Sequence, residues 1–257
     1  MPAPPAAAVP ATAAPSRELR LYGLNAVRAV FDQRPHALRK LYLLQSRIPQ
    51  LQPVLRWCAA QRIGYRVVEA EDLHKLAASA HHEGVVADVL RAPIPALPDW
   101  LVAVPAGPAC AIWLDGVGNP HNFGAILRSS AHFGVGAVLL PRHGGLSLSG
   151  AAARVAEGGA EAVPLVHLDD DVSGIAALRT AGFTLAGTVV RGGADLFATV
   201  LPTRLVLVLG AEGEGMSPAL AGACDLRLSI PGSGRVESLN VAAATAVLLA
   251  QWRRSIT

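Results

Sequence analysis

The chain reads as an α/β protein of two units, a small one over residues 17–91 and a larger one over residues 109–257, and three observations predict this. Helical and strand periodicities alternate through both units, the pattern of sheets layered with helices. The strands after residue 109 are almost continuously apolar, as strands of a mostly parallel sheet covered on both faces are. Between the units, the segment RAPIPALPDWLVAVPAGPA from Arg91 to Ala109 holds five prolines, and residues 92–108 read as a semi-rigid linker.

In the first unit a helix is predicted from near Asn25, where Ala26, Val27, Val30 and Phe31 recur at helical spacing. The strand KLYLLQS follows, then a helix over about 49–61, the strand YRVVEA, a short helix through Leu73 and Leu76, and the strand GVVADVL. In the second unit the strands are ACAIWLD, GAVLLP, EAVPLVHL, GFTLAGTVV, RLVLVLG and DLRLSIP. A helix over 123–133 follows the first of them, and a closing helix rich in Ala, Val and Leu spans about 239–252. No internal repeat interrupts this order.

Composition narrows the function classes. Of 257 residues, 52% are hydrophobic and 16% charged, enough to bury a core, while only 5% are aromatic, so Ala, Val and Leu must do most of the packing. No run of eighteen apolar residues exists to cross a membrane. The opening sixteen residues, MPAPPAAAVPATAAPS, have prolines where a signal peptide needs a continuous apolar core; a disordered tail and a cytoplasmic protein are expected. Cys58, Cys110 and Cys224 are too far apart for a metal knuckle and read as inert thiols. Residues 17–91 carry twelve Lys and Arg against seven Asp and Glu, whereas residues 109–257 carry ten against eleven. The positive charge is nearly all arginine, whose planar fork suits phosphate, so the first unit points to a polyanion partner.

In open α/β sheets ligands bind beyond the carboxyl ends of the strands. That rule selects three loops, 115–128, 210–217 and 231–240. The first, LDGVGNPHNFGAILR, begins like a dinucleotide fingerprint, but the third glycine falls on His121 and no GK[ST] follows for a phosphate loop. Its notable residues are Asn122, at a helix start where a cap is the ordinary role, and Arg128, which a surface position would also explain. The second, LVLGAEGEGMS, offers Gly210, Gly213 and Gly215 for close approach to a flat ligand. Its Glu212 and Glu214 are either catalytic or simply solvated. In the third, IPGSGRVESLNV, Ser238 is the natural N-cap of the closing helix and Asn240 a second local cap. His81-His82-Glu83 makes a poor metal cluster, since neighbours on a strand face opposite ways.

Taken together the three loops resemble the SpoU (TrmH-type) RNA 2′-O-ribose methyltransferases of the SPOUT superfamily, over essentially residues 17–257. The resemblance rests on Asn122, Gly124 and Arg128; on Gly210, Glu212 and Gly213 after an apolar strand; and on Ile230, Pro231, Ser238, Leu239, Asn240 and Val241. LYGLNAVRAVF and HHEGVVADV also resemble the substrate-recognition domain that precedes catalysis in several members, a domain related to a ribosomal-protein fold that binds RNA kink-turns.

The resemblance implies a small N-terminal α/β RNA-binding domain and a C-terminal α/β domain tied in a trefoil knot. It implies S-adenosylmethionine bound against the backbone of Gly210, Ile230 and Leu239, no metal, and a homodimer with the closing helix at its interface. Arg128 is the expected catalytic residue, anchoring the phosphate and stabilising the developing alkoxide or, as some mechanisms propose, activating the hydroxyl. Asn122 is expected to position Arg128 or the ribose, and Glu212, Ser238 and Asn240 to shape the loops and orient substrate. The form Gly-Ala-Glu-Gly-Glu-Gly resembles the ribosomal RNA guanosine branch, so ribosomal RNA is favoured over transfer RNA.

One segment departs from the family pattern. ARVAEGGAEAVPL carries Glu157 where many members have a serine or cysteine, and Arg154 is its expected partner. A non-catalytic RNA-binding paralogue is the main rival, against which the intact motif residues count. A nicotinamide-dependent oxidoreductase lacks the acidic ribose-binding residue after the second strand, where Pro141-Arg142-His143 stands.

Overall fold

A computed structural model of the chain describes residues 17–142 and 144–256, so the tail expected over residues 1–16 lies outside the described residues, as does His143. The first unit is built from β1 (Glu18–Tyr22), α1 (Leu24–Gln33), β2 (Leu38–Leu43), α2 (Ile48–Ala60), β3 (Gly64–Val67), α3 (Ala70–Ala77) and β4 (Val85–Leu90). Its four strands run in the order β1-β4-β2-β3, with β4 antiparallel to both neighbours and β3 parallel to β2. The predicted helical stripe is the packed one: Ala26, Val27 and Val30 of α1 join Leu51, Val54 and Cys58 of α2 in a buried cluster against the sheet.

The second unit contains α4 (Leu97–Ala103), β5 (Ala109–Asp115), α5 (Pro120–Phe133), β6 (Ala137–Pro141), α6 (Gly150–Ala156), α7 (Gly159–Ala162), β7 (Leu165–Leu168), α8 (Asp171–Thr180), β8 (Thr184–Thr188), β9 (Ala194–Asp195), β10 (Arg204–Gly210), α9 (Pro218–Ala223), β11 (Leu226–Ser229) and α10 (Val241–Ser255). Seven strands form one sheet in the order β7-β6-β5-β10-β8-β11-β9, every pair parallel. Its two central strands are buried along their whole middle, which is why ACAIWLD and RLVLVLG read as unbroken apolar runs. One face is covered by Phe123, Ile126 and Leu127 of α5 and by Leu248, Leu249 and Trp252 of α10. The other is covered by Leu97 and Trp100 of α4, Leu178 of α8 and Leu220 of α9.

Several expectations need correction. The proline-rich segment 92–108 is not a free spacer, because it contains α4 with Pro98 in its first turn and buries Leu97 and Trp100. Pro95 accepts a hydrogen bond from the His167 N–H at 2.9 Å, so the segment also lies along β7. EAVPLVHL is half helix, since Glu161 and Ala162 belong to α7 and the strand starts at Leu165. Among the described residues no helix is long and apolar enough to cross a membrane. Cys58 and Cys110 are buried and Cys224 is partly so, and burial pushes all three thiols up, Cys224 to about 11.

Candidate active site

The three loops lie where the parallel sheet ends, after β5, β10 and β11, and side chains tie them together. Helix α5 begins with Asn119, whose Oδ1 accepts from the N–H groups of His121 at 2.8 Å and Asn122 at 3.4 Å. Asn119 is therefore the cap, with Pro120 behind it, and Asn122 is not. Relieved of capping, Asn122 uses its Oδ1 to accept from Asn240 Nδ2 at 3.0 Å. The second hydrogen of that amide goes to Glu212 Oε1 at 2.9 Å. The Oδ1 of Asn240 accepts from Ala242 and Ala243, so this residue caps α10 in the role expected of Ser238. One amide thus joins one residue from each loop and also starts the closing helix.

The second loop is a tight fold-back. Ala211 and Gly215 exchange backbone hydrogen bonds at 3.0 and 2.9 Å. A Cβ on Gly210 would lie 2.1 Å from the Gly215 carbonyl carbon, so only glycine fits there. Asp115, at the end of β5, accepts from the Ser217 N–H at 2.7 Å and pins the far end of the loop. Asp115 and Asn119 are the residues that motif spacing missed; an acidic residue closing an apolar strand, and an Asn-Pro pair before a helix, were the available signals.

Beside this junction lies a cleft of about 540 Å³ between the β10, β11 and β8 ends and the start of α10. Gly210, Glu212, Ile230, Ser238, Leu239 and Asn240 all line it. Ile230 also packs on the core, while Leu239 stays 49% exposed. A smaller polar recess of about 290 Å³ adjoins it, lined by Gly116, Asn119, Asn122, Glu212 and Glu214 among others. Arg128 lines neither cavity. It is exposed on α5, with no hydrogen bond or ion pair among the described residues, and stands roughly 9 Å along the helix from Asn122. Asn122 and Arg128 share no hydrogen bond among the described residues.

Two further expectations change. Glu157 accepts from Asn25 Nδ2 at 2.5 Å, while Arg154 forms its ion pair with Glu83 at 3.3 Å. His81-His82-Glu83 lies in the turn before β4 rather than on a strand. His82 is buried there, its Nδ1 accepting from the Gly84 N–H at 2.9 Å.

Known proteins resemble the chain in both units. Residues 109–250 match the SpoU rRNA Methylase family, and residues 20–94 match the domain described as RNA 2′-O ribose methyltransferase substrate binding. The uncharacterized tRNA/rRNA methyltransferase YfiF of Escherichia coli O157:H7 is 41% identical, over 93% of this chain and 69% of its own length. The 23S rRNA (guanosine-2′-O-)-methyltransferase RlmB of Escherichia coli K12 is 34% identical, over 89% of this chain and 95% of its own. Among solved structures, a putative RNA methyltransferase of the TrmH family from Porphyromonas gingivalis superposes with a TM-score of 0.73 at 28% identity, over 93% of this chain and 90% of that one. An AdoMet-bound rRNA methyltransferase from Sinorhizobium meliloti shares the fold at a TM-score of 0.78 and 24% identity, over 94% and 88%. The chain belongs to the SpoU rRNA methylase family of S-adenosylmethionine-dependent RNA 2′-O-ribose methyltransferases.

Proposed function

We propose that the chain methylates the ribose 2′-hydroxyl of a guanosine in ribosomal RNA, with the cofactor in the 540 Å³ cleft and the target nucleotide beside Asn122. The observation that carries it is the single Asn240 amide joining Asn122 and Glu212, which brings one residue of each motif to one point. The cleft suits the cofactor in size, within the 300–1,000 Å³ or so common for small ligands. Its lining suits it in chemistry: Leu209, Leu228 and Leu248 offer apolar contact, and Glu212 and Glu237 offer carboxylates to a cation and to hydroxyls. When bound, the cofactor supplies a methyl already activated on a sulfonium.

The chain's own residues then have to hold the hydroxyl in line and manage its proton. Asn122 spends its Oδ1 on Asn240, which leaves its Nδ2 to donate to the ribose. Arg128 is exposed and able to swing its fork onto a phosphate and to stabilise the alkoxide as its proton passes to solvent water; an arginine remains charged, so anchoring is favoured over proton abstraction. Glu212 and Asn240 hold the loops in register, while Gly210, Ile230 and Leu239 present backbone to the adenine. Ser238, relieved of capping, faces the cleft and orients substrate. Ribosomal RNA is favoured by the RlmB likeness, and such a substrate places the protein in the cytoplasm. The trefoil knot and a homodimer through α10 belong to the same proposal, with sedimentation as the check on the dimer.

The test is transfer of labelled methyl from S-adenosylmethionine to unmodified bacterial RNA. The native chain is expected to yield 2′-O-methylguanosine in the large ribosomal RNA, and Arg128→Ala to lose about 10²–10³-fold in rate with cofactor binding intact. Label confined to transfer RNA would overturn the substrate, and a native chain that binds the cofactor but labels no RNA would overturn the reaction.

A further inference from the structure

The segment that departs from the family pattern, ARVAEGGAEA, is the seam between the two units. Helix α6 is squeezed between them. A Cβ on Gly150 would lie 2.6 Å from the Arg20 carbonyl oxygen of β1, and a Cβ on Gly124 of α5 would lie 2.4 Å from the Ala152 carbonyl oxygen of α6. Ala153 belongs to the buried cluster of the first unit, while Ala152 and Ala156 belong to that of the second. Helix α7 follows and lies on the turn of α5 that carries Arg128: a Cβ on Gly159 would be 2.7 Å from the Leu127 carbonyl oxygen and 3.0 Å from the Arg128 Cα.

Two residues further on, Glu161 takes a forked contact from the first unit. Arg34 Nε donates to Glu161 Oε2 at 2.6 Å and Arg34 Nη2 to Glu161 Oε1 at 2.9 Å. The remaining Nη1 donates to the Leu90 carbonyl at the end of β4. The Glu161 side chain is only 7% exposed and that of Arg34 22%. Parallel hydrogen bonds between a planar guanidinium and a carboxylate fix angle as well as distance. A buried pair of this kind gives little net stability over an apolar pair of the same size, so its contribution is sought in geometry.

We propose that Arg34 and Glu161 are positioning residues that set the angle at which RNA held by the first unit is presented to Arg128. This rests on the assignment of Arg128 as the catalytic residue. The path is short and continuous: β4 and α1 hold Arg34, Arg34 holds α7 through Glu161, and α7 abuts the backbone of Arg128.

The test uses the full chain with two variants. Arg34→Lys keeps the charge and removes the fork. The double variant Arg34→Met with Glu161→Met keeps the seam filled and removes the pair, which guards against a chain that merely fails to fold. Spin labels at exposed Gln61→Cys and Val102→Cys report the distance between the units. Both variants are expected to broaden that distance and to lower kcat on ribosomal RNA by about tenfold or more, with the KM for RNA and cofactor affinity unchanged. A native-like kcat in a stably folded double variant overturns the proposal, and so does an unbroadened distance. A native chain that methylates no RNA defeats the proposed reaction instead, and an Arg128→Ala chain with native-like kcat defeats the assignment of Arg128; in either case the distance measurement still decides whether the pair fixes the two units.

Discussion

The seam between the units and the loop cluster at the sheet end use the same kinds of polar group in opposite surroundings. At the seam, Arg34 and Glu161 meet in a place nearly closed to water, among backbones too close for any added Cβ. At the loops, Asn122, Glu212 and Asn240 join through hydrogen bonds open to solvent, and a Cβ on Gly213, Gly215 or Gly234 would meet only empty space. Water competes for every contact in the second place and for few in the first. The seam therefore fixes geometry, and its parts are costly to remove singly. The loop contacts hold less stability, which leaves those positions free to be chosen for chemistry.

The widest separation between the two regions is expected in stability. Glu161→Ala leaves the Arg34 guanidinium largely buried without its carboxylate, and a loss of about 3 kcal/mol follows. Glu212→Ala removes one exposed hydrogen bond and is expected to cost no more than about 0.5 kcal/mol, although methyl transfer suffers. Denaturant titration of both variants decides it. Equal losses would erase the distinction between a dry seam and a wet site.

The sequence made one of these regions legible and hid the other, for physical reasons. The loops announced themselves because Asn122, Glu212 and Asn240 are polar residues set among glycines at the ends of apolar strands. The sheet was legible for the related reason that β5 and β10 are apolar without interruption. The seam is made of Ala and Gly, whose burial leaves no contrast of polarity to read, so α6 and α7 gave no period. Glu157 was matched to its sequence neighbour Arg154 and Glu161 drew no reading, because their partners Asn25 and Arg34 are more than a hundred residues away. The linker misled differently: Pro98 opens a helix as readily as it stiffens an extended chain. Capping shifted from Ser238 to Asn240 because the helix starts at Val241 rather than Leu239. Arg128 rests on the resemblance alone, since it lines neither cavity.

That shift of the cap supplies a smaller and sharper contrast inside the loop cluster. Asn240→Ala removes the acceptor for the Ala242 and Ala243 N–H groups and is expected to destabilise the chain by about 1 kcal/mol. Ser238→Ala, two residues away and open to solvent, is expected to change stability by less than about 0.5 kcal/mol. Thermal unfolding of the two variants side by side checks the assignment. A larger loss at Ser238 would return the cap to that residue and detach Asn240 from the start of α10.

The smallest expected effect is a pH dependence at the seam that the loop cluster does not share. His82 sits next to Glu83, which pairs with Arg154 of α6 and accepts from the Leu24 N–H at the start of α1. Burial, and then the neighbouring His74, hold the imidazole below the ordinary histidine value of 6.5. The contacts agree with a neutral ring, because Nδ1 must be unprotonated to accept from the Gly84 N–H. The native state therefore takes up a proton later than the unfolded chain as pH falls. The stability contributed by neutral His82 is fully present above 6.5 and is lost as pH falls from there through the lowered native value. Unfolding midpoints measured between neutral pH and mildly acidic buffer should fall for the native chain. They should fall less steeply for His82→Gln, which keeps an acceptor for Gly84 and cannot titrate. Among the described residues the loop cluster holds no such group in a buried position, so cofactor affinity in the same buffers should not follow the His82 substitution. Parallel slopes for the two chains would mean that acid acts elsewhere and that the turn bearing Glu83 plays no part in holding the seam.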